Sequence, residues 1–406
     1  MCSELNPGLF TAAGQALLAS LPPYSALDAD VLSRKLRAHG LPAPLVASAL
    51  TQSRLRAAAV PKFGSFAARM LFTEAGLQQA TRLEVAAHHA KRFREAGCTH
   101  IADLGCGLGG DSLALASLDL QVTAVEQDTA TAACATVNLT PLPRVRVLHA
   151  DATTLDLASL GVDGIFADPA RRSGSSRLSR PEDWAPSLDT VLGWRRTVPA
   201  LGVKVAPGID LNLLPPDSLV QWASVGGEVV EAMIWCGPLA PHPGRSALVI
   251  DNQSTARVLT DPTNRDPSLE HTQVEAGPLG RYIFEPDGAV IRAGMVAYLA
   301  EQLTAHPVSD KIAYLTGDTL PPSHLRPFLH TYRVQEVLPL QNATLKKWVR
   351  DNAIGELEIK KRGADIDPSS LREALRPRGQ NRVTLIATRL QGRHRAVIVQ
   401  PETDPA

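Results

Sequence analysis

The sequence predicts an α/β protein built on a doubly wound parallel sheet, with a helical region before the sheet and an α+β region after it. Three observations carry this prediction. An apolar strand pattern at residues 101–104 runs into a glycine-rich turn and then into helical spacing. Strand and helix patterns alternate from residue 99 onward, which is typical of parallel strands joined by crossover helices. Residues 8–60 are rich in alanine and leucine at helical spacing and are interrupted by prolines.

The composition of the 406-residue chain excludes several classes of protein. Lys+Arg 41 and Asp+Glu 41 cancel, so any nucleic-acid surface has to come from local clusters of charge. The five cysteines are scattered and form neither a disulfide framework nor a metal-ligand spacing. The amino terminus lacks a secretory pattern, and no stretch approaches the roughly 20 apolar residues of a membrane span. We therefore expect a cytoplasmic protein without a membrane segment.

The first 95 residues predict a helical cap. Its last helix carries His88 and His89, and Thr81 with Glu84 forms a capping-box signature at the start of that helix. Adjacent helical positions point about 100 degrees apart, so the two histidines cannot share one ligand face. We expect no metal site here or elsewhere in the chain.

The glycine-rich turn follows the first strand of the predicted sheet. Gly105, Gly107 and Gly109 let the backbone approach a ligand closely, and the next helix directs free N–H groups at that ligand. Counted through Gly110, the turn also fits the dinucleotide pattern G-x-G-x-x-G, and a turn that only packs is a third alternative. Asp103 lies two residues before the first glycine, where a carboxylate suits a cationic ligand and repels a pyrophosphate.

This pattern resembles motif I of the class I S-adenosylmethionine-dependent methyltransferases. The resemblance implies a seven-stranded Rossmann-like sheet, S-adenosyl-L-methionine as cofactor, and Asp103 near the methionine end of that cofactor. Glu126 ends the second strand, beside the first, so its carboxylate is placed to accept hydrogen bonds from ribose hydroxyls; capping the following helix is its alternative role. Asp151 and Ala152 follow the third strand and resemble the family position that meets the adenine amino group.

The fourth strand ends in Asp168, Pro169, Ala170 and Arg171. Amino-group methyltransferases that act on bases carry Asp/Asn-Pro-Pro and an aromatic residue there, which implies that Asp168 and Pro169 hold the acceptor. Ala170 and Arg171 depart from that pattern, and Asp-Pro-Ala-Arg resembles instead the loop of RNA 5-methyluridine methyltransferases. Those enzymes attack carbon with a cysteine on the next strand, and residues 202–208 contain no cysteine. The sequence therefore favours direct in-line transfer to a positioned acceptor.

Three further residues of this region are candidate substrate ligands. Arg171 and Arg172 are placed to grip a phosphodiester, although a solvated loop would also carry them. Trp184 is a candidate stacking platform for a base, and core packing is its alternative role.

The remaining chain predicts the end of the sheet, a linker and a separate domain. Residues 227–235 and 246–251 predict a closing antiparallel hairpin, as in the sixth and seventh strands of methyltransferase sheets. Residues 256–280 are polar and rich in turn formers, which predicts a linker.

Residues 281–406 predict a mixed domain with local positive charge. Residues 341–395 hold 13 Lys/Arg and 6 Asp/Glu, and a solvated face is the alternative to a phosphate-binding surface. The run 357–363, followed by 371–375, resembles the THUMP-like domain fused to bacterial methyltransferases, which implies RNA binding by analogy. The two basic clusters consist of Lys346, Lys347, Arg350, Lys360, Lys361 and Arg362.

These patterns together predict an enzyme that methylates a base nitrogen of tRNA or rRNA. The predicted domains are a helical cap (1–95), a methyltransferase domain (96–255), a linker (256–280) and a THUMP-like domain (281–406). A small-molecule methyltransferase, a non-catalytic RNA-binding protein and a nicotinamide oxidoreductase are the alternatives. The patterns do not predict an oligomeric state.

Overall fold

The computed structural model describes residues 5–170, 172–173, 176–177, 180–269 and 274–402. The chain divides into two compact units. The first comprises Met1–Val205 and Met233–Pro241, and the second comprises Ala206–Ala232 and His242–Ala406.

The first unit begins with helices that lie before its sheet. Thr11 caps the first of them by accepting a hydrogen bond from the Gly14 N–H at 3.2 Å. The longest helix starts after Pro42 and ends where Gly64 adopts a φ of 53°. The helices are α1 (Ala12–Ser20), α2 (Ala29–Ala38), α3 (Ala43–Phe63), α4 (Glu74–Gln79) and α5 (Leu83–Glu95).

A lysine at the end of α3 fixes the end of α4. The Lys62 ammonium donates to the carbonyl oxygens of Leu77, Gln78 and Ala80 at 2.9, 2.9 and 2.8 Å. The last carbonyls of a helix lack partners within the helix, so a cation there satisfies them and complements the helix dipole. Lys62 therefore connects the end of α3 to the end of α4, directly before Thr81.

Strands and helices then alternate, as the sequence pattern predicts. Strand β1 pairs in parallel with β2 and β4, β2 pairs in parallel with β3, and β4 pairs in parallel with β7. The elements are β1 (His100–Leu104), α6 (Gly110–Ser117), β2 (Gln121–Glu126), α7 (Thr129–Leu139), β3 (Val145–His149), β4 (Gly164–Ala167), the two-residue strands β5 (Arg172–Ser173) and β6 (Ser176–Arg177), α8 (Leu188–Gly193) and β7 (Ala200–Val205). The predicted α/β class with a parallel sheet is confirmed.

The end of this sheet differs from the predicted hairpin. Strand β8 (Leu219–Val225), which the sequence analysis did not identify, leads through Gly226 and Gly227, both with positive φ, into β9 (Glu228–Cys236). The next strand, β10 (Gly244–Ile250), pairs in parallel with β8 and antiparallel with β11 (Ala256–Thr260). Residues 227–235 and 246–251 therefore do not form one hairpin, because the two-glycine turn already joins β9 to a closer partner.

The described strands of this sheet follow the order β11-β10-β8-β9-β7-β4-β1-β2-β3. Strands β10 and β11 extend the sheet at one end of this order. Strand β11 lies inside the range predicted as a linker, and the domain limits remain a prediction.

The rest of the second unit is α+β, as predicted. Its strands form a mostly antiparallel sheet in the order β13-β14-β12-β15-β18-β17-β16, in which β16 and β17 pair in parallel. The elements are β12 (Tyr282–Pro286), α9 (Gly288–Arg292), α10 (Val296–Leu303), β13 (His306–Pro307), β14 (Leu315–Gly317), β15 (Leu329–Pro339), α11 (Asn342–Asp351), β16 (Ile354–Arg362), α12 (Pro368–Leu375), β17 (Asn381–Leu390) and β18 (Arg393–Pro401).

Among the residues that the structure describes, no helix is long and apolar enough to cross a membrane. The same residues contain no group of three or more His, Cys, Asp or Glu side chains that could hold a metal ion.

Candidate active site

The glycine-rich turn between β1 and α6 takes a shape that side chains would block. Gly105, Gly107 and Gly109 all have positive φ, at 85°, 55° and 87°. A Cβ atom on Gly105 would lie 2.7 Å from the carbonyl oxygen of Asp168, so the turn and the end of β4 touch through backbone atoms. The predicted cofactor turn and the predicted acceptor loop are therefore adjacent.

Asp103 is a buried carboxyl group with one unsatisfied oxygen. Its side chain is 0% exposed, Oδ2 accepts a hydrogen bond from the Ser112 hydroxyl at 2.5 Å, and Oδ1 has no partner. Burial, followed by the negative charges of Asp111 and Asp168, raises the pKa of Asp103 to about 8. An orphaned buried carboxyl oxygen fits a ligand that brings positive charge, such as the ammonium group of S-adenosylmethionine.

Glu126 is held by two backbone groups at the end of β2. Its Oε2 accepts from the Gly107 N–H at 3.0 Å, and its Oε1 accepts from the Asp128 N–H at 2.8 Å. Helix α7 is capped by Asp128 instead, whose Oδ1 accepts from the Thr131 N–H at 2.8 Å. A carboxylate has about four acceptor positions, so the fixed Glu126 keeps two for a diol.

Asp151 and Ala152 lie at the end of β3. Asp151 is exposed, and its Oδ1 accepts from the backbone N–H and the hydroxyl of Thr153 at 2.9 and 2.8 Å. These hydrogen bonds lower the pKa of Asp151 and fix its orientation at the start of a short 3-10 turn, Ala152–Thr154.

Asp168 and Pro169 follow β4, and the structure adds a partner that the sequence analysis did not assign. The Lys204 ammonium on β7 donates to Asp168 Oδ2 at 2.7 Å and to the Thr81 hydroxyl at 2.9 Å. Lys204 is 4% exposed. A lysine within the apolar strand pattern of 200–205 was the available signal, because buried lysines are rare unless they are paired.

A second buried pair continues this network. His89 Nδ1 lies 2.8 Å from Asp111 Oδ1, and the Thr81 hydroxyl also bonds to Asp111. Burial alone would raise the pKa of Asp111, but the hydrogen bond and charge of His89, with the charge of Lys204, lower it overall. His89 thus contacts the Asp111 carboxylate.

The predicted substrate residues of the acceptor loop differ in how much the structure describes and in their burial. Arg171 lies outside the described residues, and of Arg172 the structure describes the backbone, which pairs with Arg177 across the small β5-β6 hairpin. Trp184 is 5% exposed, and this burial favours core packing, its alternative role, over a stacking platform for a base.

The two basic clusters of the second unit differ in their surroundings. Lys346 and Lys347 on α11 are exposed, as a phosphate-binding surface requires. Lys360 is engaged in an ion pair with Glu285 at 2.8 Å, and Lys361 donates to the Ile366 carbonyl oxygen at 2.7 Å. The Arg362 guanidinium lies 5.2 Å from the centre of the Tyr314 ring. The second cluster is therefore occupied by contacts within its own unit, which the sequence could not reveal.

Comparisons with known proteins agree with this geometry. Residues 329–401 match a family described as THUMP domain-like, and residues 7–59 match a domain family of unknown function. An uncharacterized S-adenosylmethionine-dependent methyltransferase of Mycobacterium tuberculosis (strain CDC 1551 / Oshkosh) is 33% identical over 330 residues, which are 79% of this chain and 85% of that protein. Its counterpart in strain ATCC 25618 / H37Rv matches equally.

A solved structure shares the fold. The crystal structure of a protein of Porphyromonas gingivalis W83, provisionally described as a methyltransferase, matches with a TM-score of 0.72 and 19% identity over 94% of this chain and 100% of that one. The mycobacterial relatives decide between the two cofactors that the glycine spacing allows: the cofactor is S-adenosyl-L-methionine, and the nicotinamide alternative is set aside. With its strand, glycine turn and buried acids in this arrangement, the chain belongs to the S-adenosylmethionine-dependent methyltransferases.

Proposed function

We propose that this methyltransferase modifies RNA, either tRNA or rRNA, by direct transfer of a methyl group to a base nitrogen. The observation that carries the proposal is the combination, in one chain, of an Asp168 backbone that lies against the cofactor turn and a segment, 329–401, that matches the THUMP domain-like family. The exposed Lys346 and Lys347 lie within that segment and supply charge for phosphates.

The proposed cofactor residues are those that surround the glycine turn. Asp103 would satisfy its orphaned oxygen with the ammonium group, Glu126 would accept from the ribose, and Asp151 with Ala152 would meet the adenine. Gly105, Gly107 and Gly109 would let the backbone approach. When bound, S-adenosylmethionine supplies a sulfonium methyl group that can be displaced in line.

The proposed acceptor residues are Asp168 and Pro169. An amine that attacks a methyl group gains positive charge, so the Asp168 carboxylate stabilises the transition state more than the ground state. Covalent attack through a thiol is disfavoured by the state of the cysteines. The four described cysteines are buried, and burial raises the pKa of Cys106 well above its usual value, whereas a nucleophile has to be a thiolate.

The test is transfer of radiolabelled methyl to total RNA, tRNA-enriched RNA and an RNA-free small-molecule extract by the full chain. Asp168→Asn should reduce transfer by about a hundredfold or more, since it removes the charge that stabilises the transition state. Asp189→Asn, at an exposed acid of α8, is the matched control and should leave transfer unchanged. Label confined to the small-molecule extract would overturn the RNA assignment. Nucleoside analysis that finds C-methyl or ribose O-methyl products would overturn the nitrogen assignment.

A further inference from the structure

Lys204 lies on the acceptor side and has no assigned task in the reaction, and its position is unusual. Strand β7 (Ala200–Val205) is buried along its whole length. Within it, the Lys204 side chain is 6% exposed and pairs with the Asp168 carboxylate, which is 25% exposed. Burying an ammonium group is costly, so the local structure has to hold it in place through specific partners.

The ammonium of Lys204 is directed entirely at protein atoms. It donates to Asp168 Oδ2 at 2.7 Å and to the Thr81 hydroxyl at 2.9 Å, and it lies 3.5 Å from the Gln79 carbonyl oxygen. An ammonium has three hydrogens, and protein acceptors surround them here. A substrate would have to displace one of them to bind Lys204, so the structure does not favour a direct contact with substrate.

Asp168, by contrast, has one oxygen committed and one open. Lys204 takes Oδ2, while Oδ1 has no hydrogen-bond partner in the part of the chain that the structure describes. The backbone of Asp168 lies against Gly105 of the cofactor turn. The open oxygen therefore belongs to a group that is fixed at one side and accessible at the other.

We propose that Lys204, braced by Thr81, is a positioning residue that holds Asp168 Oδ2 and directs Oδ1 to the acceptor nitrogen. This inference rests on the proposed function. In the step itself, the bond from nitrogen to the methyl carbon forms as the carbon–sulfur bond breaks, and the sulfur leaves as a neutral thioether. The nitrogen becomes cationic, and its proton passes to Asp168 Oδ1 and then to water.

The test uses three variants of the full chain. Lys204→Met removes the charge but keeps an apolar side chain of similar length, and Thr81→Val keeps the lysine but removes its brace. Lys91→Met is the matched control, because Lys91 pairs with Glu95 at 3.6 Å on the surface of α5, with side chains 62% and 66% exposed.

We expect kcat to fall about a hundredfold in Lys204→Met and about tenfold in Thr81→Val, with smaller changes in KM and in the dissociation constant of S-adenosylmethionine. Lys91→Met should change none of these. A kcat equal to wild type in both Lys204→Met and Thr81→Val would overturn the proposal.

A second readout does not depend on catalysis. Carbon-13 NMR of the cofactor-free protein, labelled at aspartate carboxyls, follows the resonance that disappears in Asp168→Asn. At one fixed pH, that resonance should shift in Lys204→Met, because the carboxylate loses its hydrogen-bond donor, and be unchanged in Lys91→Met; an unchanged resonance in Lys204→Met would overturn the proposal. If no RNA is labelled but this resonance shifts, the RNA assignment fails while the contact of Lys204 with Asp168 stands.

Discussion

Replacing Asp103 by asparagine should stabilise the cofactor-free protein at pH 8 relative to pH 5, although it should weaken cofactor binding. This carboxyl is 0% exposed, and its pKa is raised from an ordinary value of 3.8 to about 8, first by burial and then by the charges of Asp111 and Asp168. Lys204 and the Ser112 hydroxyl oppose the shift without cancelling it.

The magnitude follows from linkage between protonation and folding. Because the folded pKa is raised, the stability that the neutral group contributes is fully present below the unfolded pKa, near 4, and is lost as pH rises through about 8. Each unit of that interval is worth about 1.4 kcal/mol. From pH 5 to pH 8 the wild type should therefore lose up to about 4 kcal/mol relative to Asp103→Asn, which cannot ionise.

Two measurements check this prediction. Urea unfolding of the cofactor-free chains at pH 5, 6.5 and 8 should give wild-type and variant curves that diverge as pH rises. Calorimetric titration with S-adenosylmethionine at pH 6.5, in buffers of different ionisation enthalpy, should show about one proton released by the wild type, because the bound ammonium requires an ionised Asp103. The variant should release none. Parallel stability curves, or equal proton release by both proteins, would refute the reasoning.

Three further perturbations have outcomes that the geometry fixes. Glu126→Ala should raise the dissociation constant of S-adenosylmethionine about tenfold to a hundredfold, because a charge-assisted hydrogen-bond acceptor is lost; calorimetry checks this, and an unchanged constant would exclude Glu126 from the site. Gly105→Ala should lower the free energy of unfolding by several kcal/mol, against about 1 kcal/mol for Gly97→Ala. Both glycines have positive φ, at 85° and 80°, but only at Gly105 would the new Cβ meet a backbone oxygen, that of Asp168, at 2.7 Å. Equal losses of stability in denaturant unfolding would contradict this close approach. Lys346→Glu combined with Lys347→Glu should weaken RNA binding and reduce its salt slope by about two, measured by filter binding from low to high salt; an unchanged slope would remove α11 from the RNA surface.

The cofactor side of the site was predictable because its signals are local. A strand, a glycine turn and a helix follow one another within residues 101–117, and the acids lie at strand ends that a parallel sheet brings together. The turn geometry of Gly105 and the burial of Asp103 agree with that pattern.

The remaining features depend on contacts between distant parts of the chain. The ion pair of Lys360 with Glu285 joins residues 75 positions apart, and the bond of Lys204 to Thr81 joins residues 123 positions apart. Neither spacing follows a helical or strand period, so local patterns do not report them. The burial of Trp184 likewise depends on what packs against it rather than on its neighbours in sequence.

The three carbonyl contacts of Lys62 connect the amino-terminal helices to the proposed acceptor site. The last of these contacts, at Ala80, directly precedes Thr81, whose hydroxyl braces Lys204. A displacement of α3 would therefore be transmitted through these contacts to Asp168, the proposed acceptor residue. An effector that bound the amino-terminal helices would change the turnover rate without competing with the cofactor. An inserted residue between α3 and α4 would lower the turnover rate while leaving the glycine turn intact.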